Sequence, residues 1–173
     1  ARAEYLEKVG RKSIHRLLFE NLLPYPRRLH AAARAVALGK NSGMSRLAQA
    51  LGLLRIFGRN CARAEAIVTR LPAQPLRVRL KSGTYPGQGD RMRVAYTIGC
   101  GVDIVTPTAG EATLALLRRS AREVCLLETN CCGLPAWSYG DLEAARHLAA
   151  KNLALIGSGR FDAIVTDCSS CAA

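Results

Sequence analysis

Five cysteines stand in a spacing that ordinary structural cysteines do not need. Cys100, Cys131, Cys132, Cys168 and Cys171 follow the pattern C-x30-C-C-G-x34-C-x2-C. Adjacent Cys131 and Cys132 cannot easily bond to each other, and the seven cysteines of the chain are an odd number. A disulfide framework is therefore a poor account, and metal-bound thiolates in a reduced, cytosolic setting are a better one. A mononuclear zinc site takes four ligands, so a fifth thiolate is surplus to it. Five soft sulfur donors suit a polynuclear iron–sulfur centre. Gly133, directly after the pair, removes a side chain where the backbone must turn sharply beside a bulky inorganic core. Cys125 lies between Val124 and Leu126 and reads as core. Cys61, at a predicted helix start near Arg59 and Arg63, reads as structural.

The elements that must position these thiols are legible from residue 92 onward. Residues 93–98 read as a buried strand ending at Gly99-Cys100. Residues 107–121 read as a helix with Thr106 or Thr108 as its cap. A second strand, 123–127, leads to Cys131-Cys132-Gly133. A helix over 141–156, capped by Asp141, is stopped by Gly157 and Gly159. A third strand, 161–166, runs to Cys168 and Cys171. This is β-α-β-α-β, and the fold class is α/β: a parallel sheet in the C-terminal half, preceded by an α-helical region. Parallel strands place their C-terminal ends on one sheet edge, where such folds bind ligands. All five cysteines should converge there.

The first half has a different grammar. Apolar periodicity predicts a helix over 3–23, ended by Pro24 and Pro26, and a second from Pro26 to Leu38. A third is expected over 45–56 with Ser45 as N-cap, and a fourth over 60–70. Residues 71–91, rich in Pro and Gly, read as an irregular linker or a wandering surface segment. The expected organisation is a helical connector over 1–70, a linker over 71–91 and a cysteine-rich domain over 92–173. No run of about 18 uncharged apolar residues is present, so no membrane-spanning helix is expected. Both ends look like cuts through a longer protein.

Charge divides along the same line. Residues 1–93 hold 19 Lys and Arg against 5 Asp and Glu, whereas residues 94–173 hold 6 against 8. The basic half suits an acidic partner subunit or an anionic membrane surface. Aromatic residues are only 5% of the chain, too few for stacking on bases, and nucleic acid is not expected. His15, His30 and His147 lack ligand-like neighbours in sequence, and Asp167 reads as a turn residue. Trp137 and Tyr139, after the glycine turn, either wall off the site or pack on the sheet. No G-x-G-x-x-G or P-loop pattern follows Gly99, which argues against a nucleotide.

Gly99-Cys100, the run Cys131-Cys132-Gly133-Leu134-Pro135 and Thr166-Asp167-Cys168-Ser169-Ser170-Cys171 together resemble the cysteine-rich "CCG" domain. That domain occurs in iron–sulfur subunits of glycolate and D-lactate oxidases, in heterodisulfide reductases and in related glycerol-3-phosphate dehydrogenase subunits. The segment from Tyr139 to Arg146, with Lys151-Asn152, looks most like the glycolate oxidase subunit. Pro26-Arg27-Arg28-Leu29 is similar to that family's connector. The family's ferredoxin-type C-x2-C-x2-C-x3-C-P motifs and its second CCG domain are not in this sequence. The resemblance implies electron transfer within a flavin-dependent 2-hydroxy-acid oxidase or dehydrogenase. The FAD would sit on a separate subunit, and a quinone or another acceptor would take the electrons. The cluster would be of 4Fe-4S type, cubane or non-cubane, with zinc as the alternative. A heterodisulfide-reductase-like catalytic site and a zinc-binding interaction module are the competing functions. The implied location is the cytoplasm or the inner face of the cell membrane.

Overall fold

Val94, Ala95 and Tyr96 are buried through the middle of a β-rich run, and the rest of the chain is arranged around that strand. The computed structural model describes residues 2–52, 68 and 70–172. Four strands form one sheet: β1 (Gly83–Pro86), β2 (Arg93–Thr97), β3 (Glu123–Leu126) and β4 (Ala163–Thr166). Their order is β1-β3-β2-β4. β2 pairs in parallel with both β3 and β4, while β1 pairs antiparallel with β3. The parallel β-α-β-α-β unit is as expected, and the mixed sheet gains one antiparallel edge strand that sequence reasoning did not foresee.

The crossover helices form where their end signals put them. Helix α7 (Pro107–Ser120) opens on Pro107, whose missing N–H costs nothing in a first turn, and closes on Arg118 and Arg119 near the helix carbonyls. Thr106 takes its N-cap position, although its side chain makes no capping bond. Helix α9 (Leu142–Gly157) is capped as expected: Asp141 Oδ1 accepts from the Ala144 N–H at 3.1 Å. Leu114 of α7 packs with Val94, Tyr96, Val124 and Leu126 in one core cluster. Ala144 and Leu148 of α9 belong to a second cluster with Phe19, Leu23, Cys131 and Ala136. That second cluster fastens the N-terminal helices beneath the Cys131-Cys132 turn.

Several expectations fail for local reasons. The helix over 3–23 is interrupted at Gly10, giving α1 (Arg2–Val9) and α2 (Ser13–Arg16), which runs on into a π-helical turn over Leu17–Leu22. Pro26 starts α3 (Pro26–Asn41). The next helix, α4 (Met44–Ala50), begins after Gly43, so Ser45 is not its cap; its hydroxyl is buried without a hydrogen-bond partner. The remainder of the 45–56 helix, most of the 60–70 helix and Cys61 lie outside the described residues.

Residues 71–91 are not an irregular linker. They supply the short helix α5 (Leu76–Arg79), the strand β1, and Leu76, which is fully buried in the sheet core. Proline and glycine mark the joints of this segment and hide its apolar anchors, Leu76 with Leu80 and Tyr85 packed against the same core. Leu76→Ala should therefore cost about 2–5 kcal/mol, the range for a large side chain removed from a close-packed core. Urea unfolding of the purified chain measures this, and a cost below about 1 kcal/mol would mean the segment is peripheral after all.

Candidate functional site

Each parallel strand ends in a short turn that delivers cysteine. After β2, Gly99 leads into α6 (Cys100–Ile104), a helical turn absent from the expectation. After β3, the chain passes Thr129 and Asn130 to Cys131 and Cys132, then turns at Gly133 into α8 (Leu134–Tyr139). After β4, Asp167 and Cys168 precede α10 (Ser169–Ala172), which carries Cys171.

β2 leads through α7 to β3 on one side of it, and β3 leads through α9 back to β4 on the other side. The crevice at that reversal is where open α/β sheets take ligands. The two ends meet so closely there that a Cβ on Gly99 would collide with Cys168 Cβ. Asp167 locks the meeting: its Oδ1 accepts from the Gly99 N–H at 2.8 Å, and its Oδ2 lies 2.5 Å from the Tyr96 hydroxyl. Burial, and then the neighbouring carboxylate, push the Tyr96 phenol up, so it stays a protonated donor. The turn residue of the sequence reading is thus a tie between β2 and β4.

All five expected thiols are brought together. Cys100 packs against the cluster that contains Cys131, Cys132 Sγ lies 3.4 Å from the Ser170 carbonyl oxygen next to Cys171, and the Cys168 side chain abuts Gly99 next to Cys100. The six described cysteines are free thiols. Among the described residues, no three His, Cys, Asp or Glu side chains are drawn around a single point as a lone metal ion would require. Cys125 is apart from the group, buried in β3, 3.3 Å from Glu123 Oε1 and 3.7 Å from Thr84 Oγ1.

Close-set thiols cannot all ionise, and their protons are shared. Cys132 is held well below the ordinary thiol range, first because the Cys131 and Cys171 thiols both donate to it, and further by backbone N–H groups including that of Leu134. Cys131 and Cys171 are correspondingly raised, because losing their protons would abandon those bonds and place like charges in contact. Cys100 is drawn down to about 7, mainly by the Cys131 thiol, with Arg77 favouring the same direction. The donor set is soft, partly ionised and supplied with amide donors, which suits a thiophilic metal centre.

Three side chains that sequence reasoning passed over hold these turns. Asn152 of α9 accepts from the Asn130 N–H at 2.8 Å and donates to the carbonyls of Asn130 and Cys131, both at 3.3 Å. Arg77 donates to the carbonyls of Ile98 and Thr129. His30 Nε2 lies 2.7 Å from Asp103 Oδ2, so it is engaged by a carboxylate. No local pattern marks such contacts, because each spans 20 residues or more. His147 is exposed, whereas His15 stacks with Phe19 and meets Tyr139 at 4.4 Å between ring centroids. Trp137 and Tyr139 are 60% and 54% exposed, so neither packs into the sheet.

Comparison with known proteins agrees in two segments. Residues 10–68 match the family described as the glycolate oxidase iron–sulfur subunit, linker region, and residues 94–173 match the cysteine-rich domain family. A probable glycolate oxidase iron–sulfur subunit of Bacillus subtilis is 25% identical over 167 residues, 95% of this chain and 37% of the relative. A subunit of the fumarate reductase (CoM/CoB) of Methanothermobacter marburgensis is 33% identical over 88 residues, 50% of this chain and 18% of the relative. Lactate utilization protein A of Bacillus thuringiensis is 33% identical over 82 residues, 47% of this chain and 34% of the relative. The chain thus spans little more than a third, or less, of these relatives. No solved structure matches it.

Gly133 has a φ of +95°, and a Cβ there would stand 2.8 Å from the Ala145 carbonyl oxygen. Gly133→Ala should cost at least about 1–2 kcal/mol from the left-handed backbone alone. Gly101→Ala, where a Cβ meets nothing within 4 Å inside α6, should be neutral or slightly stabilising. Equal denaturation midpoints for the two variants would refute this account of the turn.

Proposed function

We propose that this chain, whose residues 10–68 match the linker region of the glycolate oxidase iron–sulfur subunit and whose residues 94–173 match the cysteine-rich domain, carries electrons within a flavin-dependent 2-hydroxy-acid oxidase complex. The observation that supports this reading is the meeting of cysteine-bearing turns from three parallel strand ends at one sheet edge. Cys100, Cys131, Cys132, Cys168 and Cys171 would hold an iron–sulfur cluster of 4Fe-4S type. Such a cluster supplies reversible one-electron acceptance and donation when bound.

What the chain itself does is hold the donors. The absence of a Cβ at Gly99 lets the end of β2 approach the Cys168 sulfur, and at Gly133 it lets the turn pack against Ala145 and Leu148 of α9. The backbone N–H groups of Gly101 and Leu134 favour the charged forms of Cys100 and Cys132. Cys131 is buried and the other four are partly covered, so the site is shielded on the protein side and open enough to exchange electrons with a neighbour. Substrate oxidation would fall to a flavin-bearing subunit, with a quinone or another acceptor downstream.

The basic helical half would face that partner. Arg27 is exposed on α3, and Arg28 lies over the Tyr25 ring at 4.4 Å. Val36, Met44, Leu47 and Leu51 are also exposed, apolar surface of the kind that marks protein contacts. Reversing charge at Arg27 and Arg28 to Glu should weaken co-purification with the flavin subunit, more strongly at low salt. Unchanged recovery of the complex would make these arginines a solvated face.

The central test uses two cysteines from one strand and its loop. After anaerobic reconstitution with ferrous iron and sulfide, the wild-type chain should be brown and hold iron and sulfide. Cys132→Ser should lose most of that iron, because a hydroxyl is a harder and weaker ligand. Cys125→Ser should keep it, since its sulfur lies inside β3 against Thr84 and Glu123, away from the strand ends. A colourless chain that binds zinc but no iron, or the reverse pattern between the two variants, would overturn the assignment.

A further inference from the structure

Arg77 ties the site together from outside it. It follows the buried anchor Leu76 in α5, within the segment that the sequence marks as a linker. Its side chain is only 11% exposed. Nη1 donates to the Thr129 carbonyl and Nη2 to the Ile98 carbonyl, with Thr129 Oγ1 a further 3.4 Å contact. Ile98 stands two residues before Cys100, and Thr129 two residues before Cys131. One planar group therefore spans the loop after β2 and the loop after β3.

The guanidinium is itself set from behind. The Arg77 backbone N–H donates to Asp103 Oδ1 at 2.8 Å. Asp103 is 1% exposed, and its Oδ2 is 2.7 Å from His30 Nε2 on α3 and 3.9 Å from Arg77 Nε. Asp103 thus fixes the start of the Arg77 side chain while its two terminal nitrogens fix the loops. A backbone carbonyl has no side-chain substitute, so the spacing of the two loops rests on this fork. Lysine offers one compact ammonium on a flexible stem and cannot hold two separated carbonyls in a fixed plane.

We propose that Arg77 is a positioning residue for the metal centre, acting through Ile98 and Thr129 to fix the separation between Cys100 and the Cys131–Cys132 pair. His30 and Asp103 brace it, so the linker helices are joined to the site through hydrogen bonds as well as through packing. This rests on the iron–sulfur reading above, and it concerns geometry within that site. Residues that orient metal ligands from behind characteristically change affinity by one to two orders of magnitude when lost.

The test uses the full chain and compares Arg77→Lys with Leu76→Ala. Both disturb α5, but only the first removes the fork. After anaerobic reconstitution, two properties are read: the rate of iron release to a ferrous chelator and the EPR spectrum of the dithionite-reduced protein. Thermal unfolding of the metal-free forms is measured alongside. Arg77→Lys should release iron on the order of tenfold faster than wild type and show altered EPR g values. Leu76→Ala should lower the unfolding temperature yet leave the spectrum of whatever cluster it holds unchanged. Asp103→Asn, which keeps the side-chain shape and weakens the brace, should shift release in the same direction and serves if Arg77→Lys does not fold. Wild-type release and spectrum in Arg77→Lys, or in Asp103→Asn where it stands in, would overturn the proposal. So would losses in Arg77→Lys and Leu76→Ala that merely track their unfolding temperatures. A wild-type chain that takes up no iron would overturn the underlying iron–sulfur reading instead.

Discussion

The chain leaves β2 for β3 and then crosses back to β4 on the other side of β2, and the crevice this reversal opens at the carboxyl end of β2 is the constraint on which the other features depend. Because β3 and β4 flank the same strand, their terminal turns must share one edge. Because those turns are short, their side chains must meet. Gly99 against Cys168 shows how little room is left. The tie from Asp167 to Gly99 and Tyr96 keeps the β4 turn in register with β2, while Asn152 and Arg77 keep the β3 turn in reach of both. The sheet supplies proximity, and a few long-range hydrogen bonds turn proximity into a fixed arrangement.

Holding five sulfurs together has an electrostatic cost that the fold meets in two ways. Sharing protons between Cys131, Cys132 and Cys171 limits the charge present at once. Backbone amides and the nearby Arg77 stabilise the charge that remains. The same arrangement leaves Cys125 out, although it is closer in sequence to Cys131 than Cys100 is. Strand alternation decides this: Cys125 points between β1 and the Glu123 carboxylate, whereas the ligand candidates stand beyond the strand ends.

Much of this was readable beforehand, and the remainder was not for definite reasons. The three parallel strands and both crossover helices carried their own signals in β-branched runs, the Asp141 cap and the glycine stops. The cysteine spacing then named the edge on which to look. The segment 71–91 misled because its Pro and Gly content describes its joints and says nothing of Leu76 or of a four-residue antiparallel strand too short to show alternation. The break at Gly10 and the π-helical turn after Arg16 interrupt an apolar periodicity that, read alone, looks continuous. Arg77, Asp103 and His30 were invisible as a group, since nothing in three separate stretches of sequence announces that they meet.

The tie through Asp167 also bears on the order in which the chain can assemble. Synthesis proceeds from the N-terminus, and structure formed early tends to template the segments made later. Arg77 and β1 leave the ribosome before the loops they will hold, so the clamp and the antiparallel edge precede every cysteine of the site. β4 comes last, and only its pairing with β2 brings Cys168 and Cys171 to the others. A nascent chain therefore carries an incomplete, three-thiol site until residues 163–171 have docked. On the iron–sulfur reading proposed above, capture of the metal would be coupled to completion of the sheet.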